Sequence, residues 1–123
     1  MPNYSLNHVH HESSDPHAAA EWYKTLFGAA LDDPYERGGA TWIRAHLGDV
    51  TITITDRESS DVELSRLKAY DHIALTTDDF DATVAHIKDS GIDIWSGPTD
   101  AGGFRIMFVN GPDNAKIEIM EQQ

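Results

Sequence analysis

The feature that most constrains this chain is that it states one phrase twice. NHVHHESSD, with His8 as its second letter, returns as DHIALTTDD, with His72 in the same place 64 residues later. Each phrase reads as a strand that carries histidine among apolar residues and runs into a helix opened by aspartate. A repeat of this length predicts two small modules related by internal symmetry, and repeats decide an architecture before any local pattern does. It also sets two histidines at symmetry-related strand positions.

The first module, about residues 4–56, opens with a strand around Leu6 to Glu12. Alternation along it puts His8 and His10 on one face and Val9 and His11 on the other. A helix follows, capped by the Asp15 carboxylate, with Pro16 at its first position and Ala19, Trp22, Tyr23 and Leu26 on one face before Gly28 ends it. Thr41–Leu47 and Val50–Thr55 alternate as strands around a Gly48-Asp49 turn. In VTITIT, Ile52 and Ile54 point toward an apolar layer, while Thr51, Thr53 and Thr55 point toward a wet face. The expectation is a sheet with helices on one side and a polar concave surface on the other.

The second module, about 71–121, repeats this scheme. Asp71–Thr77 reads as a strand, Asp79 caps a helix carrying Phe80, Val84 and Ile87, and Gly91 closes it. A strand near Ile92–Trp95 leads through the loop SGPTDAGG to a hairpin of FRIMFV, NGPDN and AKIEIME. Ile117 and Ile119 then take the helix-facing role of Ile52 and Ile54, so Lys116, Glu118 and Met120 face the polar side. Arg57–Tyr70 has no sustained period and reads as a linker whose Val62, Leu64 and Leu67 pack outside.

The gross properties exclude several classes. At 123 residues the chain fits one compact domain. It has no cysteine, so disulfides, thiolate metal sites and thiol nucleophiles are absent. No run reaches the apolar length of a membrane span, and MPNYSLNH lacks a signal-peptide layout, so a soluble cytoplasmic protein is expected. With 21 Asp and Glu against 9 Lys and Arg, the net charge of −12 argues against nucleic acid as a partner. That charge reads as a strongly solvated surface or as an attraction for cationic ligands.

Parity brings the chemistry together. His8, His72 and Glu118 all fall opposite the isoleucine stripe, and two imidazoles with one carboxylate suit a divalent first-row metal with open positions. Iron, manganese, nickel, cobalt and zinc all accept such donors. The alternative is that these are ordinary surface or core side chains. His10 faces the same side, as a general acid/base, an extra ligand or a histidine held in a polar wall. Arg44 and His46 share the parity of Trp42, and if that face is the site, Arg44 can hold a substrate carboxylate; otherwise it is an exposed arginine. Phe104, Ile106 and Phe108 have site parity and would form an apolar wall. His11 has the wrong parity, and His17 and His86 lie on helices.

NHVHHESSDPHAAAEWYKTLFGA, DHIALTTDDFDATVAHIKDSG and FRIMFVNGPDNAKIEIME together resemble the vicinal oxygen chelate superfamily of glyoxalase I, bleomycin-resistance proteins, fosfomycin thiol transferases and extradiol dioxygenases. The resemblance spans nearly the whole chain apart from its ends and the linker. It implies an α+β fold of two tandem βαβββ modules forming a cupped, mostly antiparallel eight-stranded sheet with helices on its outer face. It further implies a divalent metal chelating two neighbouring oxygens of a small-molecule substrate, and commonly a homodimer. The family's metal ligands match His8, His72 and Glu118. Its fourth ligand position, Glu or Gln in glyoxalases and related epimerases, falls on Thr53, whose hydroxyl cannot act as the proton-transfer base near neutral pH. A lactoylglutathione lyase is therefore disfavoured unless His10 or His46 supplies a base, and Thr53 becomes a substrate-facing residue. No Lys and Ser pattern of the thiol-transferase branch appears from Trp95 to Arg105. Two readings follow: a metal-dependent enzyme, dioxygenase-like or lyase-like, and a metal-free binding protein that sequesters a small molecule as bleomycin-resistance proteins do.

Overall fold

The computed structural model describes residues 3, 6–58 and 72–122. The predicted linker beyond Glu58, with Val62, Leu64 and Leu67, lies outside the described residues, as does Asp71. The chain divides into two compact units, residues 1–60 and 61–123.

In the first unit β1 (His8–Glu12) leads into α1 (Pro16–Phe27), followed by β2 (Ala30–Leu31), β3 (Tyr35–Arg37), β4 (Ala40–Leu47) and β5 (Val50–Thr55). The helix ends are those the sequence specifies. Asp15 accepts a hydrogen bond from the Ala18 N–H, Pro16 occupies a position that needs no donor, and Gly28 closes the helix at φ 70. The sheet runs β1-β5-β4-β2, with β3 also on β4, and β1 is parallel to β5. The short β2 and β3 have no sequence period long enough to reveal them.

Packing follows from parity. Ile52, Ile54, Ile43 and Ala45 are buried together with Ala19, Ala20 and Tyr23 of α1, which makes this face the core of the unit. His11 belongs to the same face, and its Nδ1 lies 3.1 Å from the Tyr23 hydroxyl with the two rings edge to face. The opposite face corrects one expectation. Thr53 and Thr55 are polar in parity but only 7% and 0% exposed, so they are covered rather than wet. The register gives the cause: Thr53 sits between His10 and Arg44, and Thr55 between Glu12 and Trp42, so larger neighbours on both adjacent strands overhang a short side chain.

The second unit has β6 (Ile73–Thr77), α2 (Phe80–Asp89), β7 (Ile94–Asp100), β8 (Arg105–Asn110) and β9 (Lys116–Glu121). Its sheet runs β6-β9-β8-β7 with β6 parallel to β9, the topology of the first unit. Asp79 caps α2 by accepting from the Ala82 N–H. Met107, Val109, Ile117 and Ile119 are buried on one face, as are Phe80 and Ile87 of the helix. Arg105 fastens this side: its guanidinium reaches Asp81 of α2 at 2.7 Å and Glu121 of β9 at 3.0 Å, and lies 4.8 Å from the Phe80 ring centre.

Two local features differ from expectation or refine it. The segment read as the loop SGPTD is strand, because β7 runs from Ile94 through Asp100. Pro98 is tolerated there because β7 is an edge strand, and register shifts between Ile94, Ser96 and Thr99 absorb the missing donor. The GPDN turn holds Asp113 and Asn114 at φ 59 and 60, a conformation that Asp and Asn tolerate better than most residues. Among the described residues, no helix is long and apolar enough to cross a membrane.

Candidate functional site

The strand registers test the internal symmetry residue by residue. Val9 pairs with Ile52 as Ile73 pairs with Ile117, and His10 pairs with Thr53 as Ala74 pairs with Glu118. Thr53 and Glu118 are therefore equivalent positions, and His8 and His72 each stand one residue before an equivalent pair.

In the second unit the backbone brings two metal-type donors together. His72 Nε2 lies 2.8 Å from Glu118 Oε2, with side chains 29% and 13% exposed. The imidazole edge meets the Phe108 ring at 5.3 Å between centres, and Phe108 is the direct cross-strand partner of Glu118. Lys116 Nζ stands 5.0 Å from the rings of both Phe108 and Trp95. Ile106 shares this face opposite Met120. Phe104 lies before β8, half-buried, where its carbonyl accepts from Ala101 N–H and closes the turn. The sequence assigned this face correctly for Glu118, Ile106 and Phe108; it gave no role to Trp95, which is 58% exposed.

In the first unit His8, His10, Arg44, His46 and Thr53 meet in one cleft of about 300 Å³, completed by Asn7, Tyr35, Arg37, Trp42 and Thr51. Cross-strand rows explain the grouping: His8, Thr51 and His46 form one row, and His10, Thr53 and Arg44 the next. Each histidine is held differently. His8 Nδ1 is 2.8 Å from the Asn7 side-chain oxygen. His46 bridges the Thr51 hydroxyl at 3.1 Å and the Asp32 carboxylate at 3.0 Å. His10 packs edge-on to Trp42 at 5.6 Å. Its pKa is lowered, first by burial and then by the nearby Arg57, with Glu12 opposing, so the ring is biased to the neutral form that accepts a proton.

Sequence reasoning missed Tyr35, Arg37 and Asp32. Tyr35 and Arg37 ride on the three-residue β3, whose register pairs Tyr35 with Trp42. A three-residue strand carries no period, so the pairing with Thr41 and Ala40 that completes it could not be read from the sequence.

The donor chemistry can be weighed against a metal ion. A carboxylate oxygen on β9 and an imidazole nitrogen just before β6, 2.8 Å apart, are donors of the kind a first-row divalent ion takes. Among the described residues, no group of three or more His, Asp or Glu side chains gathers as a ready metal cage.

Comparison with known proteins gives consistent family signals. A stretch of 57 residues is 40% identical to the lactoylglutathione lyase of Haemophilus influenzae, covering 45% of this chain and 42% of that protein. The chain thus spans less than half the length of that curated relative. Among solved structures, the antibiotic-binding protein TnmS3 of Streptomyces sp. CB03234 superposes with a TM-score of 0.79 at 19% identity, over 100% of this chain and 99% of that one. The trypanothione-dependent glyoxalase I of Leishmania major gives 0.75 at 20% identity over 97% and 87%. At such identities these structures speak to the fold alone. The family model of the Glyoxalase/Bleomycin resistance protein/Dioxygenase superfamily matches residues 5–119, so the repeated strand-helix units with equivalent registers make the chain a member of that superfamily.

Proposed function

We propose that this chain is a divalent-metal-dependent enzyme acting on a small oxygenated organic molecule, by dioxygenase-like or lyase-like chemistry. The observation that carries the reading is the 2.8 Å approach of His72 Nε2 to Glu118 Oε2 on the polar face of the second sheet. His72 and Glu118 are the proposed ligands there, and His8 is the proposed third on the strength of the repeat, since it stands one residue before the Val9–Ile52 pair as His72 stands one before the Ile73–Ile117 pair. A bound ion would supply Lewis acidity or, as iron, oxygen chemistry. The chain's own side chains do the remaining work. His10, biased toward its neutral form, is the proposed proton acceptor. Arg44 and His46 orient polar groups of the substrate, with Thr53 between Arg44 and His10, while Ile106 and Phe108 provide apolar contact. Lactoylglutathione lyase activity is not part of the proposal, because Thr53 stands at the position equivalent to Glu118 and its hydroxyl is no base at neutral pH.

Elemental analysis of protein purified without chelators tests the reading. Stoichiometric metal is expected in the parent and a large loss in Glu118→Ala. Substoichiometric metal in the parent, with the same content in the variant, overturns it.

A second reading, a metal-free small-molecule binding protein of the drug-sequestering kind, is favoured by one observation. The cleft in the first unit is walled by Tyr35 and Trp42 and carries Arg37 and Arg44. That lining repels a cationic guest, so any sequestered compound is neutral or anionic. Binding of a small molecule by chelator-treated protein, with no turnover on adding metal, distinguishes this reading from the first.

A further inference from the structure

We infer that the cleft of the first unit recognises a planar aromatic carboxylate of one or two rings. This names a ligand class for the small-molecule readings above and rests on them.

The charges come first. Residues 1–60 contain four basic side chains, Lys24, Arg37, Arg44 and Arg57. Three of them sit over two rings: Arg37 and Arg57 lie 5.4 and 5.6 Å from the Trp42 ring centre, and Arg44 lies 5.2 Å from that of Tyr35. Carboxylates outnumber cations by 21 to 9 in this chain, so arginines have acidic partners in excess. Arg105 takes two of them. Among the described residues, neither Arg37 nor Arg44 forms an ion pair with a carboxylate. Among the described residues, then, no carboxylate occupies the two guanidinium forks lining the cleft, and such a fork matches a carboxylate in bidentate geometry.

The rings supply the rest of the recognition. Tyr35 and Trp42 are cross-strand partners whose planes differ by 11°, with centres 6.2 Å apart. They stack nearly parallel, and with Trp42 only 7% exposed it is the half-buried Tyr35 ring, backed by Trp42, that borders the open cleft. Trp42 is fixed by its indole N–H, which donates to the Arg37 carbonyl at 3.0 Å. A flat guest can lie against a held aromatic ring with little loss of contact, whereas a puckered ring touches it at few points. The cleft volume of about 300 Å³ is at the lower end of the range for small-ligand sites, which suits one or two rings. The half-buried Thr51 hydroxyl, 3.1 Å from His46 Nδ1, belongs to the same lining and has capacity for a second oxygen of the guest.

Isothermal titration of chelator-dialysed protein with three probes tests the inference. The probes are 1-naphthoate, the neutral 1-naphthalenemethanol, and cyclohexanecarboxylate, which keeps the charge without the flat ring. Naphthoate is expected to bind at least about tenfold more tightly than either of the others. Arg37→Met and Arg44→Met should each weaken naphthoate by a similar factor while leaving the far-ultraviolet circular dichroism unchanged. Arg44→Lys, which keeps the charge but loses the fork, should weaken it too. Equal binding of acid and alcohol, equal binding of flat and puckered acids, no effect of either arginine, or no naphthoate binding at all overturns the inference. Because the protein is metal-free, failure of the metal proposal leaves this outcome untouched, and a negative result here leaves the metal stoichiometry unexplained by it.

Discussion

Glu118→Gln separates two roles that the same 2.8 Å contact can serve. As a hydrogen-bond partner of His72, the carboxylate loses only its charge on conversion to the amide, which keeps an oxygen of similar size in place. A hydrogen bond to a charged group contributes about 1.5–3 kcal/mol, against about 0.5–1.5 for a neutral one. With the His72 side chain 29% exposed and that of Glu118 13%, water screens part of the difference, which falls to about 1 kcal/mol. Metal-free variant and parent should therefore differ by no more than this.

As a metal ligand, the carboxylate matters through linkage instead. An ion that binds only the folded state adds about 4 kcal/mol at about a thousandfold excess over its dissociation constant. If Glu118 is a ligand, exchanging its anionic oxygen for the weaker amide donor raises that constant, and the gain falls by about 1.4 kcal/mol for each tenfold rise at the same ion concentration. The assay is urea unfolding of chelator-treated parent and variant, with and without manganese or zinc, followed by far-ultraviolet circular dichroism. An equal metal-induced gain in both proteins refutes the assignment of Glu118. So would a metal-free loss of several kcal/mol, because it would make the residue structural first.

Two further predictions concern the second sheet. Arg105 holds the Glu121 carboxyl below its ordinary range, through its side chain first and its backbone N–H second. A carboxyl with a depressed folded-state pKa stabilises the protein above the unfolded-state value, near pH 4 to 5, and that contribution is lost as pH falls through the folded value. The stability difference between parent and Arg105→Met should thus be full at neutral pH and shrink below about pH 4, leaving the pH-independent contact with Phe80; a difference constant from pH 7 to 3 contradicts the pairing. Gly97→Ala is expected to destabilise by at least about 1 kcal/mol more than Gly102→Ala in urea unfolding, because overpacking adds to the left-handed penalty common to both. A Cβ at Gly97 would stand 2.8 Å from the Ile106 carbonyl oxygen and 3.0 Å from Met107 Cα, whereas at Gly102 it meets nothing within 4 Å. Equal losses would show that β7 and β8 separate freely at that point.

What could be read from the sequence, and what could not, divides along physical lines. Asp15, Pro16, Gly28 and Asp79 act on groups one to four residues away, so their meaning is local and the helix ends follow from them. Ile52, Ile54, Ile117 and Ile119 announce a buried face because the strand period is two, and all four are buried. Failures occur where a side chain's environment is set by neighbours on other strands. Thr53 and Thr55 look exposed in VTITIT, yet burial is decided by His10, Arg44, Glu12 and Trp42 across the ladder. Pro98 looks like a loop residue until β7 is known to be an edge. Tyr35 and Arg37 sit on a strand too short to have a period, and their part in the cleft depends on pairing with β4.

The candidate site was legible to the same extent, and its asymmetry is the more instructive part. The repeat predicts equivalence of His8 with His72, and the registers extend it to Thr53 with Glu118 and His10 with Ala74. At those last two pairs the units exchange chemistry. Unit two has the carboxylate and a methyl group; unit one has a hydroxyl and an imidazole whose pKa is lowered. The first unit lacks a strand-borne carboxylate at the Thr53 position but adds Arg37 and Arg44 over Trp42 and Tyr35, whereas the second sets the Glu118 carboxylate beside Lys116 on its corresponding face. Duplication alone would yield two equal half-sites, each with the same donors. Divergence at a few outward-facing positions leaves both cores intact, so the proposed ligation by the His72–Glu118 pair and the proposed anion recognition by the arginine cleft can be perturbed one at a time. Elemental analysis of Glu118→Ala reads the first and calorimetry of Arg44→Met the second: each variant should lose its own property and keep the other, and loss of both in either variant would contradict the assignment.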